Sequence, residues 1–315
     1  MTLQSIAKNC RPVSQYLPSL GLKRFCSNTN KTDKFSENYC LNLVQKHDHE
    51  NFLCTLLLDD KKRRNVFSVR AFNVEIAKIG STVSEDAIAK MKLKFWFDSI
   101  DKCFNDKSSY VEDHPVLKEI KNTTNQHKLS KIYFKRLVTA RDRPSNMSFI
   151  TIKDLEDYAE QTVSTIFYII LEIYGVKDIN VDHAISHLGK AQGIVNLIRS
   201  IPFRKRSEAI SIPQEILNKH GVSQERILRD KVDDKGVEEC IFEVATCAHQ
   251  HLEKSRQLSK HVPRSLTEIF LPAVAVQRYL DRLRKANFRL TDQNLLKRDN
   301  TLPIAYYWSK LRSKY

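Results

Sequence analysis

The sequence is poor in the two residues that most often shape tight turns. Its 315 residues include only 7 glycines and 9 prolines, which is few for a β-rich protein with many hairpins. No strand–turn–strand pattern is found, whereas helix-capping residues and apolar repeats at helical spacing recur along the chain. Hydrophobic residues make up 41% of the sequence, enough for a substantial core. The sequence therefore predicts an all-α protein.

Long apolar runs are missing too. No stretch approaches the ~20 residues that a helix needs to cross a bilayer. The most apolar segment, VSTIFYIILEIY at 163–174, is shorter and contains Glu172. This segment predicts a buried helix of a globular domain.

The seven cysteines form no CxxC pair. An odd number without regular spacing argues against a disulfide scaffold and favours a reducing compartment. Cys240 and Cys247 lie seven residues apart on a predicted helix. We expect both to be buried in the core.

The first 32 residues lack acidic side chains but contain five lysines and arginines. They are rich in Ser, Thr and Asn, and their apolar residues are scattered. This composition is typical of a mitochondrial transit peptide, with a disordered basic tail as the alternative. Arg24-Phe25-Cys26-Ser27 resembles a matrix-processing site. We therefore expect a leader at 1–32 and one domain at 38–315.

Positive charge is in excess, with 52 Lys and Arg against 37 Asp and Glu and a net charge of +15. Such an excess suggests an anionic partner, namely nucleic acid, a phosphorylated ligand or acidic lipid. No zinc-finger, RRM or helix-turn-helix signature accompanies the charge, so nucleic acid is not expected. The densest basic run, Lys61-Lys62-Arg63-Arg64, is a candidate contact with an anionic membrane surface. The alternative is the solvated start of a helix.

Capping signals define several helix ends. Ser84 is a predicted N-cap, Thr151-x-x-Asp154 resembles a capping box, and Ser265-x-x-Glu268 is predicted to be one. Gly221 predicts a helix end. The predicted helices lie near 38–58, 64–80, 84–104, 114–123, 128–142, 152–174, 182–200, 223–231, 235–260, 266–286 and 302–313.

Two histidines, His183 and His187, lie four residues apart and share one helix face, as paired zinc ligands do. No third ligand lies nearby in sequence, and no Glu adjoins the first His. A half-buried polar pair with hydrogen-bond partners is therefore favoured. His249 and His251 lie two residues apart and diverge on a helix. The sequence thus predicts no metal site.

A polar stripe follows on the same predicted helix. Gln192, Asn196 and Arg199 fall within a sector roughly 60° wide beside the apolar face. Such a stripe is consistent with a cavity wall or with an interhelical hydrogen-bond network.

The segment NLIRSIPFRKRSEAISIP (196–213) resembles the second signature of the squalene and phytoene synthases. That signature reads N-I-L-R-D-x-x-x-D, followed by a basic stretch and I-x-L-P. The positions that coincide without a gap are Asn196, Arg199, Arg206, Ile210 and Pro213.

Two further segments resemble the same family in the same order. FSVRAFNVEIA (67–77) is similar to the first signature, C-R-x-x-D-x-x-x-D, with Arg70 at the family arginine. LEDYAEQTVSTIFY (155–168), which includes Tyr158, stands where the family has a Tyr-rich helix. The resemblance implies a single all-α helical-bundle domain of the isoprenoid synthase type.

The family's magnesium ligands have no counterpart in this sequence. In those enzymes two aspartate pairs hold Mg²⁺ against a prenyl diphosphate. The matched positions are Asn73, Ala77, Ser200 and Arg204, none of which is a carboxylate. Glu75 cannot substitute, because two residues along a helix place it on nearly the opposite side. The resemblance therefore implies a degenerate, non-catalytic domain without a metal or cofactor, with a magnesium-dependent prenyltransferase as the alternative.

Longer strings, SVRAFNVEIA and DHAISHLGKAQGIV, are similar to a non-catalytic branch of this superfamily that assists the assembly of mitochondrial respiratory complex I. That resemblance implies a chaperone for early assembly, with complex I subunits or assembly intermediates as partners. It also implies a location in the matrix or peripherally on the matrix side of the inner membrane.

A relic of the diphosphate pocket is the remaining candidate site. Its candidate residues are Arg70, Asn73, Tyr158, Asn196 and Arg199. They are expected to bind an anionic lipid or isoprenoid without a metal, or only to support the fold through pairs of the arginines with Glu75, Glu156 or Glu160.

Overall fold

The computed structural model describes residues 31–83, 85–105, 113–144, 146–204, 209–228 and 234–315. These residues form fifteen α-helices and no strand, which confirms the predicted all-α fold. The helices are α1 (Lys31–His47), α2 (His49–Leu56), α3 (Asp60–Thr82), α4 (Asp86–Cys103), α5 (Pro115–Gln126), α6 (Lys131–Thr139), α7 (Ile152–Ala159), α8 (Thr165–Tyr174), α9 (Ile179–Ser200), α10 (Gln214–Lys219), α11 (Gln224–Leu228), α12 (Lys235–Gln257), α13 (Pro272–Lys285), α14 (Gln293–Leu296) and α15 (Leu302–Arg312).

Several tighter or wider helical turns join these elements. A π-helix at Glu160–Ser164 connects α7 to α8, and 3₁₀ turns span Ile201–Phe203, Leu258–His261 and Arg264–Phe270. Within the described part of the chain, none of the helices has the length and hydrophobicity to span a bilayer. The leader predicted at 1–32, including the processing-like motif at 24–27, lies outside the described residues except for its last two positions, which belong to α1.

Two of the predicted helix signals are confirmed. Thr151 Oγ1 accepts from the Asp154 backbone N–H at 3.1 Å, and an Asp154 carboxylate oxygen accepts from the Thr151 N–H at 2.9 Å. Gly221 follows α10 with φ of 62°, a left-handed conformation that glycine adopts without steric cost. Helix α11 begins three residues later.

Other predicted boundaries are wrong. Ser265 and Glu268 lie inside a 3₁₀ turn and form no capping box, so the helix predicted at 266–286 begins at Pro272. The Glu268 carboxylate is used elsewhere, where it accepts from the Tyr174 hydroxyl at 2.8 Å and pairs with Lys310 at 3.0 Å. Ser84 lies outside the described residues, and Glu85 occupies the N-cap of α4.

Helix breaks divide two predicted helices. Asp48 interrupts the helix predicted at 38–58, since its φ of −138° is not helical. The π-turn interrupts the one predicted at 152–174. Neither break is marked by Gly or Pro, which explains why the apolar pattern alone did not predict them.

Helix α9 lies at the centre of the bundle. It packs against α7, the π-helix, α8, α12 and α13, and its apolar residues join the main hydrophobic core. Two glycines permit this close approach. A Cβ at Gly189 would lie 2.5 Å from Ser164 Cα, and a Cβ at Gly193 would lie 2.5 Å from Ala159 Cβ. The absence of side chains at these two positions sets the distance between α9 and the π-helix.

Replacement of Gly189 by alanine is expected to destabilise the fold. The new methyl would meet Ser164 Oγ at 2.2 Å and the Ser164 backbone at 2.5 Å, so α9 and the π-helix would have to separate. We expect the free energy of unfolding to fall by about 3 kcal/mol, at the upper end of typical overpacking costs. Urea denaturation of purified protein measures the change.

Gly80→Ala is the matched control. Gly80 is helical in α3, and a Cβ there meets nothing within 4 Å. This substitution should raise the free energy of unfolding by up to about 1 kcal/mol, because alanine favours the helix. Equal effects of the two substitutions would contradict the close-approach argument.

Candidate functional site

A large cavity opens between α3, α9, α13, the junction of α1 with α2, and the segment before α15. Its volume is about 1440 Å³. Apolar side chains of the π-helix and α8, namely Val163, Ile166 and Phe167, form part of its wall. The cavity thus combines an apolar wall with a polar mouth, as many ligand sites do.

Positive charge dominates the lining of this cavity. Seven lysines and arginines line it against three carboxylates. The basic residues are Lys46, Arg70, Lys78, Arg199, Arg282, Lys297 and Arg298, and the acidic residues are Asp48, Glu50 and Asp299. The lining therefore favours an anionic group over a divalent cation.

Arg70 projects from α3 and is only 4% exposed. Its Nη1 lies 4.0 Å from Asp48 Oδ2. Burial raises the pKa of Asp48, while Arg70 and the Asn51 side-chain amide favour its anionic form. A buried guanidinium without a counter-ion costs several kcal/mol. The Asp48 carboxylate is therefore needed as the counter-ion of Arg70.

Arg199 on α9 is held in the same way by Glu50. The two guanidinium nitrogens lie 2.6 and 3.0 Å from the two carboxylate oxygens, a bidentate pair. The guanidinium also lies 5.3 Å from the Tyr279 ring centre. Although burial opposes its charge, Glu50 raises the pKa of Arg199.

The third carboxylate of the cavity, that of Asp299, is also paired with an arginine. Arg278 donates to Asp299 at 2.6 and 3.2 Å. Although burial opposes ionisation, the hydrogen bonds from Arg278 and Thr301 hold the pKa of Asp299 at about 2. Each acidic side chain in the cavity is therefore paired with an arginine.

The predicted counter-ions of the arginines were wrong. Neither Arg70 nor Arg199 pairs with a predicted glutamate, because these carboxylates serve other contacts. Glu75 accepts from the Tyr39 hydroxyl, Glu156 from Cys247 and His251, and Glu160 from Ser186. The actual partners are Asp48 and Glu50, in the polar segment HDHEN (47–51). No motif in this segment predicts that the two carboxylates pair with arginines.

Three of the four positions that match the family's metal ligands line the cavity, namely Asn73, Ala77 and Ser200. Asn73 Oδ1 accepts a hydrogen bond from Arg141 Nη2, and Ser200 Oγ donates to the Leu197 carbonyl at 2.7 Å. The fourth, Arg204, does not line the cavity, and its guanidinium donates to the Ile227 carbonyl at 3.2 Å. An amide, a methyl and a hydroxyl do not fit Mg²⁺, which prefers carboxylate oxygens.

The other predicted pocket residues have mixed outcomes. Asn196 lines the cavity, together with Arg70 and Arg199. Tyr158 does not, because its ring packs 5.5 Å from Phe149 on another side of α7. Arg206 lies outside the described residues.

The polar stripe of α9 serves both of the roles considered for it. Gln192 and Asn196 line the cavity, and Gln192 Nε2 also donates to Asn51 Oδ1 of α2 at 3.1 Å. Gln192 Oε1 and Arg70 Nε are buried and have no hydrogen-bond partner among the described residues. Both atoms belong to cavity-lining residues. Buried polar atoms are rarely left unpaired, so this wall is suited to a polar ligand.

The basic run at the start of α3 is partly used within the fold. Arg63 pairs with Asp60 at 2.5 Å. Arg64 forms a bidentate pair with Glu119, with both distances 2.8 Å. An anionic contact through this run stays a prediction, and it now depends on Lys61 and Lys62.

A second cluster of polar side chains lies away from the cavity, between α7, α9 and α12. His187 Nδ1 lies 2.8 Å from His251 Nδ1, and His187 Nε2 lies 3.2 Å from His183 Nε2. Burial and neighbouring positive groups lower the pKa of His187 to about 4. His183 and His187 are thus half-buried or exposed groups with imidazole partners.

Cys247 belongs to the same cluster, so its predicted burial in the core is wrong. Cys240 is fully buried, whereas Cys247 is half-buried and its Sγ lies 3.1 Å from Glu156 Oε1. Burial and the adjacent carboxylate raise the pKa of Cys247 to about 12. The thiol therefore keeps its proton and donates a hydrogen bond to Glu156.

Comparison with known proteins places these features in a family. The squalene/phytoene synthase profile matches residues 44–302. A Drosophila melanogaster protein named NADH dehydrogenase (ubiquinone) complex I, assembly factor 6 homolog is 53% identical over 284 residues, covering 89% of this chain and 85% of that protein. The Homo sapiens protein NADH dehydrogenase (ubiquinone) complex I, assembly factor 6 is 36% identical over 281 residues, covering 89% and 83%.

Solved structures show the same architecture. Squalene synthase HpnC from Alicyclobacillus acidocaldarius has a TM-score of 0.69 at 19% identity, covering 83% of this chain and 97% of that one. A dehydrosqualene synthase solved with a ligand has a TM-score of 0.75 at 17% identity, covering 89% and 96%. These likenesses establish the fold, a helical bundle of the squalene/phytoene synthase type.

Proposed function

The chain belongs to the squalene/phytoene synthase family and, within it, to the complex I assembly factor 6 proteins, and on that premise we propose that it is a non-catalytic assembly factor for respiratory complex I. The identity with the Drosophila protein over most of both chains carries this proposal. The protein acts in mitochondria, and its partners are complex I subunits or assembly intermediates.

The charge pattern of the cavity supports a non-catalytic role. Ionisation of a prenyl diphosphate needs metal ions to stabilise the departing diphosphate. Two carboxylates of the same cavity, Asp48 and Glu50, are already paired with Arg70 and Arg199. Recruiting Asp48 to Mg²⁺ would leave the buried Arg70 unpaired, which costs about 3–5 kcal/mol. Recruiting Glu50 would break the bidentate pair of the partly exposed Arg199.

Complementation tests the assembly role against the prenyltransferase alternative. In Drosophila cells depleted of the related protein, expression of this chain should restore complex I on native gels. Ser200→Ala, at a position matched to a metal ligand, should restore it equally, because the hydroxyl only caps the Leu197 carbonyl. The purified protein should release no diphosphate from farnesyl diphosphate with Mg²⁺. Magnesium-dependent release that Ser200→Ala abolishes would overturn the proposal.

The cavity supports a second, narrower function, which is to bind an anionic isoprenoid or lipid without a metal. Its apolar wall suits a hydrocarbon chain, and its excess of basic residues suits a phosphate or similar head group. Arg70 Nε, a buried donor without a hydrogen-bond partner among the described residues, offers a hydrogen bond to such a group.

Farnesyl diphosphate in the presence of EDTA is the probe for this site. It should raise the melting temperature of the protein by several degrees, whereas farnesol or pyrophosphate alone should raise it less. Lys46→Gln with Lys78→Gln should reduce the shift, because both lysines line the cavity and neither forms an ion pair among the described residues. Lys90→Gln with Lys92→Gln, on α4, is the charge-matched control. An equal shift in both double variants would rule out the cavity as the binding site.

Helix α15 supports peripheral attachment to an anionic membrane. Its buried face, Leu302 and Tyr306, packs on the bundle, while a second apolar face points outwards. The outward residues are Ile304 (73% exposed), Tyr307 (57%), Trp308 (56%) and Leu311 (62%). Positions 304, 307, 308 and 311 form one helical stripe, and aromatic residues of this kind favour the bilayer interface.

Charge next to this stripe complements an anionic bilayer surface. Arg312 and Lys314 follow the stripe in the chain, whereas Lys310 is already paired with Glu268 at 3.0 Å. The Arg312 guanidinium lies 4.5 Å from the Trp308 ring centre, at the edge of the apolar stripe. An apolar face bordered by cations matches an interfacial helix better than the basic run at the start of α3 does. We place this contact at the matrix face of the inner membrane.

Vesicle co-sedimentation tests this contact. The full chain should bind vesicles containing cardiolipin and should bind neutral phosphatidylcholine vesicles less. Trp308→Glu with Leu311→Glu should lower binding at least ~10-fold, since each exposed apolar side chain contributes about 1.5–3 kcal/mol when it leaves water. Met91→Glu, at a residue 70% exposed on α4, is the control. Unchanged binding in the α15 variant would exclude this helix.

A further inference from the structure

Three ligand types for a transition metal converge outside the cavity. Glu156 on α7 faces Cys247 and His251, which lie four residues apart on one face of α12. Glu156 Oε1 is 3.1 Å from Cys247 Sγ and 3.0 Å from His251 Nε2, and the donor atoms of all three residues lie within 4.8 Å of one another. The group is accessible to an ion from solvent, since Glu156 is 28% and His251 13% exposed.

We propose that Glu156, Cys247 and His251 form a zinc site that clasps α7 to α12. A thiolate, an imidazole and a carboxylate together suit Zn²⁺ better than Mg²⁺ or Ca²⁺, which prefer oxygen ligands alone. A tetrahedral zinc centre holds such donor atoms roughly 3.3 to 3.6 Å apart. The two separations from Glu156 Oε1, 3.0 and 3.1 Å, lie within a few tenths of an ångström of that range. The ligand atoms of Cys247 and His251 lie within 4.8 Å of each other, so these two side chains move together when zinc binds.

The charge balance of the centre suits its half-buried position. Zinc binding replaces the Cys247 thiol proton, which leaves to solvent, and forms the Zn–S bond. One thiolate and one carboxylate then neutralise the two charges of Zn²⁺, so the complex carries no net charge. Lys190 is the nearby cation that interacts with both Glu156 and Cys247, and a neutral centre beside it meets little repulsion.

The two histidines of α9 are placed to orient the zinc-binding imidazole. With zinc on His251 Nε2, the opposite nitrogen, Nδ1, carries a proton and donates to His187 Nδ1 at 2.8 Å. His187 then carries its proton on Nε2 and donates to His183 Nε2 at 3.2 Å. Such outer hydrogen bonds fix the tautomer and rotation of a metal-bound histidine. His187 is therefore a positioning residue. Its four-residue spacing from His183 allows a hydrogen bond between the two imidazoles and does not indicate that both bind a metal.

Metal titration of the full chain tests the site. The protein should bind one equivalent of Zn²⁺ and release one proton. Co²⁺ in its place should show a thiolate-to-metal charge-transfer band in the near ultraviolet. Cys247→Ser should abolish that band and weaken Zn²⁺ binding by more than about 100-fold. His187→Gln should keep the band and weaken binding by about 10- to 100-fold, the range typical of outer-shell partners.

Two controls make the result specific. His249→Gln changes an exposed residue two positions from His251, and Cys240→Ser changes a core thiol whose Sγ faces the Ile216 carbonyl. Both variants should bind zinc and show the cobalt band as the unmodified protein does, with helix content checked by circular dichroism. The proposal is overturned if no equivalent of zinc binds, or if Cys247→Ser retains the band and the affinity. Either result leaves the assembly function untouched, because that function is measured separately in cells.

Discussion

The structure depends on two arginines of the cavity, one buried and one partly exposed, each of which is paired with a carboxylate. Arg70 and Arg199 project from α3 and α9 towards the same cavity, and each is met by a carboxylate from the α1–α2 junction. Because a guanidinium cannot shed its charge, the buried Arg70 requires Asp48 as its counter-ion. The partly exposed Arg199 is held by its bidentate contact with Glu50. The same pairs join three parts of the chain and leave the cavity with no free acid among the described residues. The pairs thus hold the bundle together and also set the chemistry of its interior.

Helix α9 connects both candidate sites. Gly189 and Gly193 bring it close to the π-helix, so its faces are in fixed register with α7 and α8. Its C-terminal half presents Gln192 and Arg199 to the cavity, and its N-terminal half presents His187 to α12. A displacement of α9 would therefore alter both places at once. The close packing of α9 explains how the cavity wall and the histidine cluster both keep their geometry.

The sequence predicted the fold because the fold depends on patterns that are local. Helical periodicity, capping residues such as Thr151, and the order of three family-like segments were enough for an all-α bundle. The cavity positions Arg70, Asn73, Asn196 and Arg199 also followed from those segments.

The remaining features could not be predicted, because they depend on contacts between distant segments. Asp48 and Arg70 are separated by more than twenty residues in the sequence. Glu50 and Arg199 are separated by 149 residues. Glu156 meets Cys247 and His251 across more than ninety residues. Tyr158 was misplaced because its ring packs on Phe149, a contact that helical periodicity does not show.

Binding and ionisation of a prenyl diphosphate are separable on physical grounds. Binding needs positive charge and an apolar wall, and the cavity has both. Ionisation needs in addition a centre that stabilises the departing diphosphate more than the bound substrate, which divalent metal ions do in the family enzymes. Arginines that are already paired with carboxylates distribute their charge between two partners and stabilise the ground state as much as any later state. A cavity with positive charge and an apolar wall, but with no free carboxylate among the described residues, meets the requirements for binding and not those for metal-assisted ionisation.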